Sequence, residues 1–348
     1  MSLAKLFPID FFLHYPLMSY LRSTIPHPGG AYAGIFMNAE RTSLIIKATG
    51  KLGLVSYYNY AAEGYTGAPG QTEEVNDSSE EVRAVRTGGN TPFRRELLGK
   101  HKADRDGKFT IIFDTAEGYF GLHTLDPRQF SKNEEFRRIL TKETIEIVPT
   151  WTDTQPYEWA LLDQEFRPVN ESQTNEQVFV VGLPVATIRP LIDWTSDQTG
   201  LLEAIIPTPI AIAAWFLHQF HASDDPAFLV YSHGAHTVVF FFVDKKCVHV
   251  RRSKESLDAL VQNVGDITSE MEALLEERMI SPETVSLFVW EGGDGGWDMT
   301  EALGQKIWPA NKCVRLNNST ISEKQTLTYA GDIHPDAYVL DWAVNATA

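Results

Sequence analysis

Ser232, His233 and His236 fall inside one turn-like stretch, Ser232-His233-Gly234-Ala235-His236-Thr237, flanked by "FLVY" and "VVFFFV". Three chemistries use such residues. A serine nucleophile needs a base aimed at its hydroxyl, and the hydrolase elbow needs Gly-x-Ser-x-Gly, but Val230 stands two places before Ser232. Adjacent residues on a strand point to opposite faces, so Ser232 and His233 do not make a dyad by being neighbours. The pair His233 and His236 offers two metal ligands without a third, as does the pair His218 and His221, one helical turn apart. Hydrogen-bonded histidines are the plainer reading of both pairs. The glycine cluster Gly292-Gly293-Asp294-Gly295-Gly296 is neither a P-loop nor a GxGxxG fingerprint, since no Lys-Ser/Thr follows it. What remains for the first stretch is a tight turn between two apolar strands.

The elements that must carry these residues belong to a chain of 348 residues with 43% hydrophobic and 22% charged residues. That is long enough for two domains and a large core. A net charge of -16 argues against a general nucleic-acid binder, because neutralising phosphates needs a basic face. Cys247 and Cys313 belong to no CxxC pair and sit among apolar residues, so both read as reduced core cysteines. The apolar N-terminus carries Pro8, Asp10, His14 and Pro16 and lacks a basic n-region, so it does not read as a signal peptide. The apolar run Ile210–Leu217 is far shorter than the ~20 residues of a membrane span. No direct membrane span is expected.

Residues 63–92 are rich in Gly, Ser and acid and read as an exposed, flexible connection. Thr208-Pro209 before "IAIAAWFLHQF" predicts a buried helix with a hydroxyl N-cap and an N1 proline. Apolar positions from Leu257 to Leu275 predict a second, amphipathic helix over 256–279. Strands are predicted at 109–115, 119–125, 178–184 and 285–293.

An internal echo organises the rest. "AGIFMNAERTSLIIKATGKLGLVSYYNY" from Ala33 and "AFLVYSHGAHTVVFFFVDKKCVHVRRS" from Ala227 share one order of parts. Each has a strand, a small polar turn ending in Thr, a second strand, a Lys-containing turn and a third strand. Thr42 and Thr237 lie 195 residues apart, and Asn38-Ala39 and Gly234-Ala235 are aligned as equivalents. Two such meanders predict duplicated α/β domains whose first turns point at a shared cleft.

Duplicated meanders of this kind resemble the actin-like (ribonuclease H-like) fold. Within it the chain is similar to the PilM family of type IV pilus assembly proteins and to the cytoplasmic domain of the type II secretion protein GspL. The resemblance is carried by "FTIIFDTAEGYFGLHTLDP", by "VFVVGLPVATIRPLIDWTSDQTGLLEAIIPTPIAIAAW", by "VSLFVWEGGDGGWDMTEALGQKIW" and by the closing "HPDAYVLDWAVNATA". It runs from about Ala33 to the C-terminus. The fold class implied is α/β, with duplicated domains around an interdomain cleft and a small inserted α+β subdomain. The boundaries expected are an extension over 1–30 and a first domain over 31–108, 164–200 and 330–348. The inserted subdomain would take 109–163 and the second domain 201–329.

The resemblance also implies a nucleotide site, and the residues at it depart from the family pattern. The family's first hairpin reads Gly-Ile-Asp-Ile-Gly where this chain has Gly34-Ile35-Phe36-Met37-Asn38. Its second reads Asp-Ile-Gly-Ala where this chain has Ser232-His233-Gly234-Ala235. Mg²⁺ needs oxygen ligands, and both carboxylates are missing. Asn38, Ala39, Gly234, Ala235, Thr237, Gly292 and Gly293 are the residues that the resemblance aligns with the nucleotide. No catalytic residue, metal ligand or cofactor is expected, ATP with Mg²⁺ being the only cofactor candidate. The expected role is a pseudo-ATPase scaffold of a pilus or secretion platform, cytoplasmic and peripheral to the inner membrane. Its partner would be the cytoplasmic N-terminal peptide of a PilN-like membrane protein, with an assembly ATPase as a further candidate partner and no nucleic acid. The alternative is an active actin-like ATPase or small-molecule kinase with shifted carboxylates, such as Asp114, Asp193 or Asp294.

Overall fold

Four sheets and a set of packed helices make up the described part of the chain. The computed structural model describes residues 31–37, 41–48, 55–61, 85–87, 91–93, 108–113, 118–126, 134, 138, 157–169, 176–185, 188–189, 201–221, 223–233, 236–253, 264–290, 313–325 and 335–347.

The first meander is β1 (Ala31–Met37), β2 (Arg41–Ala48) and β3 (Val55–Ala61), all antiparallel. Two parallel strands extend it, β6 (Lys108–Phe113) beside β1 and β10 (Leu201–Pro207) beside β6. The sheet order is β10-β6-β1-β2-β3. The second meander is β11 (Ala227–His233), β12 (His236–Val243) and β13 (Lys246–Ser253). It too gains two parallel strands, β14 (Ser286–Trp290) and β15 (Cys313–Leu316), in the order β13-β12-β11-β14-β15. Read from opposite ends, the two sheets have the same order and the same strand directions. The duplication expected from the sequence is therefore a duplication of whole five-stranded sheets.

The third sheet is antiparallel, with β9 (Glu176–Pro184) between β7 (Tyr119–Leu125) and β8 (Tyr157–Leu162). Strand membership corrects three expectations. The strand at 108–113 was grouped with the inserted subdomain but pairs in the first sheet. The strand at 176–184 was grouped with the first domain but is the centre of the three-stranded sheet. The strand at 201–207 was grouped with the second domain but is the edge of the first sheet. Parallel partners are brought together by crossovers, which local periodicity does not report. A further difference is a short hairpin, β4 (Val85–Thr87) with β5 (Thr91–Phe93), inside the tract read as a flexible connection and ending just beyond it. The residues between them, Gly88-Gly89-Asn90, are of the types a tight hairpin turn uses.

Helix α1 (Thr208–Trp215) leaves β10, continues as a π-helical turn over Phe216–Phe220, and leads toward β11. Every residue of "TPIAIAAW" is buried, which fits its lack of a polar face. One core cluster joins α1 to Ile112 and Ile206 of the first sheet and to Leu229 and Phe240 of the second. The connecting helix thus lies in a core shared by both sheets. The expected hydroxyl cap is corrected: Pro207, in extended backbone, takes the N-cap place, and Thr208 is already helical. Its hydroxyl is buried and finds no hydrogen-bond partner among the described residues.

The opposite face of the second sheet (Phe228, Val230, Val239, Phe241) packs on Met271 and Leu275 of α2 (Val264–Glu277). Of the expected 256–279 helix, Val264–Glu277 is helical, and 256–263 lies outside the described residues. After α3 (Asn318–Lys324), the closing helix α4 (Asp336–Thr347) packs on β1, β2, β6 and α1, as the resemblance implied for "HPDAYVLDWAVNATA". Between β7 and β8, Glu134 and Arg138 are helical.

Candidate functional site

The two hairpins can be compared by register. In the first, Met37 pairs with Thr42 and Phe36 with Ser43. In the second, Ser232 pairs with Thr237 and His233 with His236. Each of these pairs fixes the same offset, so Thr42 and Thr237 are equivalent, as expected, and Met37 is equivalent to Ser232. The turn residues shift by one from the expected alignment: counting from these pairs sets Ala39, not Asn38, beside Gly234. Asn38 falls with His233, and the insertion-free match of four residues per turn is the reason.

This register sharpens what is missing. The strand ends that approach the turns are Ile35-Phe36-Met37 and Val230-Tyr231-Ser232-His233. Neither contains a carboxylate, whichever position is taken as equivalent to the family aspartate. In place of a metal ligand, Ser232 Oγ shares a 2.9 Å hydrogen bond with Thr237 Oγ1 across the strand pair. Thr237 is fully buried. Two neutral hydroxyls that bond each other are poor ligands for a hard divalent ion. Asn38, Ala39, Gly234, Ala235, Gly292 and Gly293 lie outside the described residues, as do Asp114, Asp193 and Asp294, so of the aligned nucleotide residues Thr237 alone is placed.

The histidines His218 and His221 are tied up elsewhere. His218 Nε2 donates to the Glu165 carbonyl at 2.8 Å, and His221 Nε2 donates to the Asp225 carbonyl at 2.7 Å. These bonds tie each imidazole to a different backbone carbonyl. His221 stacks on Phe216 with ring centroids 5.1 Å apart and an interplanar angle of 5°. Burial holds its imidazole below the ordinary histidine range, against the pull of the Asp225 carbonyl bond. No group of three or more His, Cys, Asp and Glu able to hold a metal is found among the described residues. Cys247 is buried and its thiol is pushed far up by desolvation, while Cys313 is half-buried; neither is in a disulfide.

The basic run after β12 is built in rather than solvated at its two arginines. Both rows of β13 are set by a register shift between Phe241 and Phe242: Cys247 pairs with Phe242, and His249 with Phe241. This bulge lets Cys247 and His249, two residues apart, serve different faces. Cys247 joins the core shared by both sheets. His249 Nε2 and Arg251 Nη1 each donate to one oxygen of Glu270 on α2. Arg252, on the other side, stands over the ring of Phe120 on β7 at 4.9 Å. Burial lowers the Arg252 guanidinium to about 10, with Tyr119 opposing.

A second junction, which the sequence did not flag, lies one turn away. The segment after β8, Asp163-Gln164-Glu165-Phe166-Arg167, is closed by Asp163, whose Oδ1 accepts from the N–H groups of Glu165 and Arg167 at 2.8 Å each. Burial raises the Asp163 carboxyl, and those two N–H bonds counter it. Phe166 has φ of 62° and is 1% exposed. Its ring lies 5.3 Å from Phe179 of β9 and 6.1 and 6.3 Å from Phe240 and Phe242 of β12. Gln164 O accepts from Cys247 N at 2.7 Å, and Gln164 Nε2 donates to Cys247 O at 3.3 Å. Nothing in "LLDQEFRPVN" marks this turn, because left-handed backbone is ordinarily the sign of Gly or Asn rather than of an aromatic residue.

With both five-stranded sheets, their register and the connecting helix in place, the architecture is the actin-like fold. It is the fold of a chain from the PilM–PilN type IV pilus biogenesis complex, which this chain matches with a TM-score of 0.55 at 13% identity, over 93% of this chain and 100% of that one. A Bacteroides thetaiotaomicron protein with an actin-like ATPase fold matches with a TM-score of 0.48 at 10% identity, over 90% and 96% of the chains. The cytoplasmic domain of EpsL, an inner-membrane component of the Vibrio cholerae type II secretion system, matches with a TM-score of 0.42 at 9% identity, over 91% and 95%. No protein-family model matches the chain. No curated protein matches it either.

Proposed function

We propose that this chain is a non-catalytic actin-like scaffold of a type IV pilus or type II secretion inner-membrane assembly platform. The observation that carries the reading is the pair of strand ends without carboxylates, Ile35–Met37 and Val230–His233, in the second of which Ser232 and Thr237 bond each other instead. An actin-like ATPase organises Mg²⁺ and the attacking water through acidic groups at those ends. With neither group present, the cleft keeps its architecture and loses its chemistry. The likeness in fold to a chain of the PilM–PilN complex supports the kind of partner: the cytoplasmic N-terminal segment of a PilN-like membrane protein. Such a role sets the chain at the inner face of the membrane, held there by its partner. Among the described residues no helix is long and apolar enough to cross a membrane, which fits that placement. A GspL-like role would add an assembly ATPase as a second partner. Asn38, Ala39, Gly234, Ala235, Thr237, Gly292 and Gly293 then mark a vestigial nucleotide position.

The test is the partner. Affinity purification of the full chain from detergent-solubilised membranes of its source should recover an integral membrane protein with a short cytoplasmic N-terminus. A synthetic peptide of that N-terminus should bind the purified chain in isothermal titration. Recovery without peptide binding, or no membrane protein at all, would contradict the reading.

A further inference from the structure

We infer that the Asp163–Arg167 turn is a latch that fastens the three-stranded sheet to the second five-stranded sheet and to the π-helical turn after α1, so that these parts open and close as one unit. Three residues of this short turn reach other elements, one by ring packing and two by hydrogen bonds. Phe166 inserts between β9 and β12, packing on Phe179, Phe240 and Phe242. Gln164 exchanges two hydrogen bonds with Cys247 on β13, backbone to backbone and side chain to backbone. Glu165 O holds His218 of the π-helical turn at 2.8 Å.

The geometry of the turn is costly when nothing holds it. A phenylalanine at φ 62° sits where non-glycine backbone is strained, and such a residue persists when its surroundings over-determine it. The Phe166 ring does so by burying itself among three others. Asp163 completes the turn from inside by accepting two of its N–H groups and by pairing its own N–H with Arg167 O at 2.7 Å. Strain stored in the turn and packing gained by the ring therefore depend on each other. If the ring leaves its pocket, the left-handed conformation loses its support, and the bonds to Cys247 and His218 lose their geometry together. A π-helical turn at the receiving end, itself an irregular backbone, gives the latch a contact with the helix that joins the two five-stranded sheets.

The consequence is a grouping that sequence order does not give. The three-stranded sheet is inserted between strands of the first sheet, β6 and β10, yet it is fastened to the second. Arg252 over Phe120 adds to the same attachment farther along β13. This coupling does not depend on whether the chain binds a pilus or secretion partner.

Amide hydrogen exchange on the full chain tests it. In Phe166→Ala, peptides covering 163–169, 244–250 and β7 with β9 should exchange at least tenfold faster, all by a similar factor. Peptides covering β1 with β2, in the first sheet, should keep wild-type rates. Faster exchange confined to 163–169 would overturn the proposal, and so would an equal rise across the whole chain. Should Phe166→Ala not yield folded protein, Gln164→Ala decides, since it removes only the side-chain contacts to Gln177 and Cys247. A several-fold rise shared by 163–169 and 244–250 then supports the latch, and no shared rise overturns it.

Discussion

Ser232 Oγ and Thr237 Oγ1 lie 2.9 Å apart as register partners of β11 and β12, and the equivalent pair in the first hairpin is Met37 with Thr42. The second hairpin end thus carries two bonded hydroxyls where the register of the first pairs a methionine with a threonine. Thr237→Val should remove the hydroxyl bond and leave Ser232 without that partner. The expected loss is about 0.5–1.5 kcal/mol, the usual net worth of such a bond. Urea unfolding of the two proteins measures it. An unchanged midpoint would mean that the pair contributes nothing to the fold.

Ser232→Asp puts a carboxylate at the end of the second hairpin alone. With Met37 still in the equivalent place of the first, phosphate release from ATP with Mg²⁺ should stay at background. Turnover in the single variant would show that one carboxylate suffices, and that the missing pair is not what silences the cleft.

Gly182 is the register partner of Trp159 in the three-stranded sheet. A Cβ at Gly182 would clash with the Trp159 ring. The ring lies over the glycine and is 7% exposed, so it has little room to retreat. Gly182→Ala should cost about 1–3 kcal/mol through overpacking. It should also red-shift tryptophan emission as Trp159 is driven from its site. A neutral effect on both readouts would refute this packing.

His221 is buried against Phe216 and Phe288, and burial holds its imidazole below the ordinary value of 6.5. Its neighbours divide: the Asp225 carbonyl bond and charge favour the proton, and Lys324 disfavours it. Because the folded chain binds the proton less well than the unfolded chain, His221 contributes stability above the unfolded value. That contribution is lost as pH falls below about 6.5. His221→Gln keeps an amide donor for the Asp225 carbonyl but cannot titrate. Thermal unfolding followed from about pH 7.5 down to pH 5 should fall less steeply for the variant than for the wild type. Parallel curves would rule out His221 as a source of the slope.

Much of the architecture was legible in the sequence because it is repeated locally. Both meanders are built from consecutive strands, so their strand lengths and turn residues lie side by side in the chain, and the offset between Thr42 and Thr237 survives into the register. Strand β9 and the closing helix were readable from their local apolar pattern. Long-range choices were not. Nothing local says that 108–113 pairs with β1 rather than with 119–125, or that β10 ends one sheet while its helix enters a core shared with the other. The bulge in β13 was equally hidden, and with it the different faces of Cys247 and His249. The Thr-Pro pair was read as a cap, but extended Pro207 moved the helix start one residue earlier. The Phe166 turn was invisible because its left-handed residue is of a type that ordinarily argues against such a turn.

The central claim is that the cleft has kept its fold and lost its chemistry, and nucleotide response tests that most directly. Thermal unfolding of the full chain with and without ATP and Mg²⁺, alongside a phosphate-release assay, should show no Mg²⁺-dependent rise in stability and no release. A ligand held tightly enough to be present at a hundredfold over its Kd would add about 2.7 kcal/mol, a shift that is readily seen. A Mg²⁺-dependent shift of that order together with phosphate release would contradict the account.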